Sequence, residues 1–156
     1  MPEQKDLDKT YLDMAQTWSS LSKAKRKKVG CIIVKDGSII SDGYNGTPRG
    51  FENDCESIKP RRDGLSIDYE GNLVEGTYDL ITKPEVLHAE SNAITKLAKS
   101  TQSSIGSTMY ITISPCVDCA KLIIQSGISR VVFKDSYKNE DGLNLLKRAS
   151  ISVSKI

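Results

Sequence analysis

Long apolar runs, a charge excess of either sign and histidine are all scarce in this chain. The longest apolar stretches, such as CIIV at 31–34, fall far short of the roughly 20 residues that cross a bilayer as a helix. The formal net charge is only +2, so the electrostatic balance demands neither a nucleic-acid nor an acidic-membrane partner. The opening MPEQKDLDKT is polar and mixed in charge, unlike a secretory signal, and cytoplasmic residence is the expectation. Histidine is the most telling scarcity: the chain has one, His88. With 156 residues there is room for one proper core and not for two, so a single domain over 1–156 is expected. Four cysteines without a secretory signal read as thiols or metal ligands rather than disulfides. Cys116 and Cys119 are close enough to clasp one ion. Cys31, in VGCIIV, reads as a buried free thiol, and the polar setting of Cys55 in ENDCES assigns it no role.

What is present is an alternation of periods. Over 7–21, Leu7, Tyr11, Met14, Trp18 and Leu21 recur at spacings of three and four, the apolar stripe of a helix. The basic KAKRKK is followed by VGCIIVKDGSIISDGYNG, two β-rich runs joined at Asp36-Gly37 as in a hairpin. GYNGTPRGFEND, with three glycines and a proline, interrupts regular structure. Residues 56–84 form a variable insert with little pattern beyond a second small hairpin expected to turn near Gly71-Asn72. Pro84 suits a helix start, and EVLHAESNAITKLAKS continues it with enough apolar residues for a mostly buried helix. STMYITIS predicts a strand. Pro115 then opens a helix at its first-turn position, where a missing N–H costs little. SRVVF predicts another strand, and EDGLNLLKRAS with ISVSKI a closing helix and strand. This order predicts an α/β domain with helices packed on a sheet.

His88 sits in HAE (88–90) and the two cysteines in PCVDC (115–119). Zinc takes nitrogen and sulfur ligands in a tetrahedron, and a catalytic zinc keeps one corner for water. His88, Cys116 and Cys119 supply three corners if two helix N-termini point at one ion. The positive end of a helix favours the thiolate form of its cysteines and partly offsets the loss of electrophilicity that two thiolates impose on the metal. Glu90 is not needed as a ligand. In mid-helix it would point away from His88, since i and i+2 do not share a face, but near a helix tip both can reach the space ahead of the axis. There Glu90 could do general acid–base work.

His-x-Glu followed by Pro-Cys-x-x-Cys, each opening a predicted helix with a strand between, is the pattern of zinc nucleobase deaminases, and the chain resembles the cytidine deaminase superfamily. VGCIIVKDGSIISDGYNGTPRG, HAESNAI, TMYITISPCVDCAKLIIQSGI and RVVF are similar to its deoxycytidylate deaminase branch, over roughly residues 10–55 and 84–155. The resemblance implies a three-layer fold, a central mixed sheet of about five strands flanked by helices. It implies one catalytic Zn²⁺ on His88, Cys116 and Cys119, and conversion of dCMP to dUMP and ammonia, feeding thymidylate synthesis. Glu90 would deprotonate the activated water, protonate N3 of the cytosine and pass a proton to the leaving amine. Asn45 would contact the sugar and Tyr137 would lie by the substrate, with main-chain groups near Ala89 and Ser114 holding the base. Arg26, in the basic turn, is the candidate for the phosphate, which a planar guanidinium matches well; its lysine neighbours read as solvated. The branch also implies a homo-oligomer, often a hexamer, switched on by dCTP and off by dTTP, with Mg²⁺ accompanying a regulatory triphosphate. Tyr44, Thr47, Arg49, Phe51 and Asn53 are then the candidate effector residues, although the same glycine-rich segment could merely shape a turn. The structural zinc of some phage relatives is not expected, because there is no second histidine and position 24 is Ala24.

Other readings stay open. A tRNA adenosine deaminase uses the same triad but calls for a more basic face, and a free cytidine deaminase fits poorly with GYNGTPRG and the basic turn. A non-catalytic zinc module would close the tetrahedron with Cys31 or Cys55 and leave Glu90 an ordinary surface residue.

Overall fold

A computed structural model describes residues 1–60 and 78–156. In chain order the elements are α1 (Gln4–Ser19), β1 (Gly30–Lys35), β2 (Ser38–Tyr44), β3 (Glu56–Pro60), β4 (Tyr78–Thr82), α2 (Ala89–Leu97), β5 (Thr108–Ile113), α3 (Val117–Gln125), β6 (Arg130–Asp135), α4 (Asp141–Arg148) and β7 (Ser152–Lys155). β1 and β2 make the predicted hairpin. Asp36 and Gly37 both take positive φ, 48° and 75°, the tight turn whose twist matches the flanking strands. β1 also pairs antiparallel with β5, while β5, β6 and β7 run parallel. The sheet is therefore mixed, in the order β2-β1-β5-β6-β7.

Strand alternation divides the core between two faces. Cys31, Ile33, Met109, Ile111, Val131 and Phe133 pack against Ala89, Ala93 and Leu97 of α2, Ala120 and Ile123 of α3, and Leu143 and Leu146 of α4. Their neighbours Ile32, Val34, Tyr110 and Val132 point the other way, onto Leu12 and Ala15 of α1. The result is the expected three layers. Each fully buried isoleucine or leucine contributes about 2 kcal/mol, so β1, β5 and β6 are the stable floor on which the site is built. Among the described residues no helix is long and apolar enough to cross a membrane.

Three features differ from the sequence expectation. The buried stripe of α1 is Asp8, Leu12, Ala15 and Ser19, whereas Met14 and Leu21 are exposed; an ion-paired aspartate stands at the N-terminal end of the contact. The helix expected from Pro84 begins only at Ala89, because Leu87 is held in an extended bridge by reciprocal backbone bonds with Gly46, 3.1 and 2.8 Å long. Pro115 lies ahead of α3 and not in its first turn, since Cys116 takes the N-cap position. β3 and β4 pair antiparallel in a separate two-stranded sheet; the turn expected near Gly71-Asn72 lies outside the described residues.

Candidate active site

Two helix starts create the site. His88 is the N-cap residue of α2, with extended backbone (φ −71°, ψ 159°), and Cys116 stands in the same position and conformation before α3 (φ −73°, ψ 172°). Cys119 follows one turn into α3. His88 Nδ1 is 3.6 Å from Cys116 Sγ and 3.3 Å from Cys119 Sγ, and the three donor atoms lie within 4.8 Å of one another. Zinc bond lengths in a tetrahedron require an N···S separation of about 3.6 Å, so these donors fit a zinc ion in both chemistry and spacing. Among the described residues neither Cys31 nor Cys55 joins the group. Cys31 is wholly buried in the core, and burial pushes its thiol well up. A tetrahedron closed by Cys31 or Cys55 is thus not what the described residues build.

Hydrogen bonds from Cys119 and His88 hold the Cys116 thiol down at about 4, against the effect of burial. The same Cys116–Cys119 contact, with burial, pushes the Cys119 thiol up. Glu90 is one residue inside α2. Because His88 is extended and not helical, the rule that separates i from i+2 does not apply, and both side chains reach the same space. Glu90 is 4% exposed, which excludes a surface role. Burial raises its carboxyl to about 7, with His88 pulling the other way and Cys116 adding to the rise.

His88, Ala89, Glu90 and Cys116 line a cleft of roughly 350 Å³, together with Arg26, Asn45, Ser114 and Tyr137. Every substrate-binding candidate from the sequence therefore meets at one place. Their bonds also reveal framework duties. Asn45 Oδ1 accepts the Val29 N–H and its Nδ2 donates to Lys27 O, both at 2.8 Å. Ser114 N–H is spent on Asp135 O at 2.9 Å, while its hydroxyl accepts the Tyr137 N–H at 2.7 Å. Ala89 opens α2, where an N–H has no carbonyl a turn back to receive it. The effector candidates Tyr44, Thr47, Arg49, Phe51 and Asn53 lie outside the cleft. Phe51 is 60% exposed. Tyr44 is tied to α2, its carbonyl accepting from Asn92 Nδ2 at 2.7 Å.

Among the lining residues that sequence reasoning missed are Lys27, Lys138, Glu56 and Thr82. Lys27 was set aside as solvated, and Lys138 stacks its ammonium 5.6 Å from the Tyr137 ring centre. Glu56 and Thr82 face each other across β3 and β4, in the insert where no pattern pointed to a role.

The family model for the cytidine and deoxycytidylate deaminase zinc-binding region matches residues 5–135. The chain belongs to this family. It is a zinc-dependent deaminase, and its likeness to deoxycytidylate deaminases runs along most of its length. The deoxycytidylate deaminase of Enterobacteria phage T4 is 36% identical over 170 residues, covering 94% of this chain and 88% of that protein. The human deoxycytidylate deaminase is 38% identical over 133 residues, covering 84% and 66%. Among solved structures, the dCMP deaminase of cyanophage S-TIM5 in complex with dCMP and dUMP superposes with a TM-score of 0.81 at 38% identity, covering 99% and 100%. A tRNA:A34 deaminase structure, 18% identical with a TM-score of 0.56, shares the fold alone.

Proposed function

We propose that the chain deaminates dCMP by hydrolysis, releasing dUMP and ammonia. The observation that carries this reading is a buried carboxyl, Glu90, beside one nitrogen and two sulfur donors, in a cleft that Arg26 and Lys27 also line. His88, Cys116 and Cys119 would hold zinc, which supplies the Lewis acidity that makes water nucleophilic near neutral pH. Glu90 takes the proton released as water adds to C4 of the cytosine and delivers it to N3. It then takes the remaining proton from the C4 hydroxyl and passes it to the amine, which departs as ammonia as the C4 carbonyl forms and the C4–N bond breaks. A carboxyl raised to about 7 suits both halves of that exchange. Asn45 meets the sugar, Tyr137 flanks the substrate, main-chain groups of Ala89 and Ser114 hold the base, and Arg26 meets the phosphate.

The finer reading extends to control. dCTP activates and dTTP inhibits through the segment holding Tyr44, Thr47, Arg49, Phe51 and Asn53, with Mg²⁺ on the triphosphate. Support comes from the two ties between this segment and the site, the Gly46–Leu87 bridge and the Asn92–Tyr44 bond. Exposed Phe51, Ile58 and Ile81 support a homo-oligomer, a hexamer in this reading. The enzyme would work on the cytoplasmic nucleotide pool and feed thymidylate synthesis. The test is ammonia release from dCMP, deoxycytidine, dCTP and tRNA, each with and without dCTP or dTTP. Preference for dCMP, shifted in opposite directions by the two triphosphates, is expected. Preference for deoxycytidine or tRNA would overturn the substrate assignment.

A further inference from the structure

The turn that carries the cations has little structure of its own. Lys25, Arg26, Lys27 and Lys28 are all exposed and lie between α1 and β1, inside neither. Side chains from elsewhere hold its backbone. Asn45 grips the end nearer β1, through Val29 N–H and Lys27 O. Glu56 grips the other end: its Oε1 accepts the Lys25 N–H at 2.9 Å and the Arg26 N–H at 3.1 Å. Glu56 is 5% exposed and lines the cleft, and among the described residues its Oε2 is buried without a donor. It opens β3, next to Cys55, whose carbonyl accepts the Lys83 N–H at 2.9 Å, so the grip is anchored to the small sheet. Burying a carboxyl with one oxygen unmet is costly, and what the other oxygen secures is the backbone of the turn beside the cleft.

We propose that Glu56 is a positioning residue for substrate binding: its carboxyl braces the turn at 25–26, so that Arg26 and Lys27 are held at the cleft to meet the phosphate of a nucleoside monophosphate. This rests on the dCMP reading above. It gives the β3–β4 insert a part in recognition, acting through the main-chain N–H groups of Lys25 and Arg26.

Steady-state kinetics of the zinc-loaded protein with dCMP and with deoxycytidine test it. In Glu56→Ala, KM for dCMP rises about tenfold, the equivalent of one hydrogen bond of ordinary net strength, while kcat stays in place. With deoxycytidine, which brings no phosphate, kcat/KM does not move. Glu56→Gln, which keeps an acceptor oxygen for the two N–H groups, regains most of the lost affinity. In a protein already carrying Arg26→Ala and Lys27→Ala, adding Glu56→Ala raises KM no further, because the brace then holds nothing. Should Glu56→Ala fail to fold, Glu56→Asp, one methylene short of both N–H groups, reads the same KM. An unchanged KM, equal losses on both substrates, or an additive loss in the triple variant overturns the proposal. Absence of dCMP turnover by the unaltered protein overturns the functional reading first, and the bracing with it.

Discussion

Asp8 and Glu90 are equally buried, each 4% exposed, and they serve opposite faces of one sheet. Their acidities diverge. Asp8 receives two hydrogen bonds from Arg130, at 2.8 and 2.6 Å, one from the Tyr110 hydroxyl at 2.7 Å and one from Gln4 at 2.9 Å. These hold its carboxyl down at about 2, Arg130 first among them and burial opposing. Glu90 is flanked instead by Cys116, Cys119 and His88, and burial carries it up to about 7. Burial raises both acids, foremost at Glu90, while at Asp8 the hydrogen bonds from Arg130 override it. Asp8, charged throughout the physiological range, fastens α1 to β5 and β6. Glu90, poised near neutrality, can take and give a proton. One fold places a structural ion pair on one face of the sheet and the chemistry on the other.

Substituting each acid should break this comparison in opposite ways. Glu90→Gln is expected to cut turnover by about a hundredfold or more, the range of lost general acid–base catalysis. Zinc content and thermal midpoint should stay near those of the unaltered protein. Metal analysis beside a rate assay separates base from ligand, because His88→Ala should lose zinc as well. Near-normal rates in Glu90→Gln would remove it from proton transfer. Asp8→Ala should do the reverse. It strands the Arg130 guanidinium in a mostly buried place and destabilises the fold by about 4 kcal/mol, the usual cost of breaking such a pair, with kcat/KM intact. Urea unfolding measures the first and the rate assay the second.

The contrast also explains what could be read from the residues alone. Zinc donors are few in kind, so the lone His88 and the paired Cys116 and Cys119 could be grouped without a structure, and the β-rich runs holding CIIV, MYIT and VVF could be read as strands. Asp8 could not be read this way, since an aspartate among polar neighbours in α1 looks solvent-facing. Its burial depends on Arg130 and Tyr110, more than 100 residues away. The starts of α2 and α3 were misplaced for a related reason: prolines at 84 and 115 are honest local signals, but the Gly46–Leu87 bridge and the N-cap role of Cys116 are tertiary. Glu56 was invisible because its partners are backbone N–H groups, which leave no trace in sequence.

Two glycines sharpen the comparison. A Cβ on Gly30 would sit 1.9 Å from Ala15 O in α1, and one on Gly43 would sit 2.3 Å from Ala89 O and 2.7 Å from Ala93 N in α2. Either alanine variant must push its helix off the sheet, costing about 3 kcal/mol, at the upper end for overpacking. Gly30→Ala should lose stability and keep kcat, whereas Gly43→Ala displaces the turn that bears Glu90 and should lose both. Equal effects on kcat would mean that the two faces are not independent.

The smallest expected effect is the acid limb of stability. Asp8 has a folded-state value of about 2 against an ordinary 3.8, so its contribution is fully present above pH ~4 and is lost as pH falls through about 2. Between pH 5 and pH 2 this removes about 2 kcal/mol, readable as a fall in the urea midpoint. Asp8→Asn carries no titrating group there, so its curve over the same interval should be flatter by that amount. An unchanged slope in Asp8→Asn would mean that other carboxyls govern acid unfolding. The pairing of α1 with β6 would then lie within the reach of ordinary surface ion pairs, which contribute about 1 kcal/mol or less.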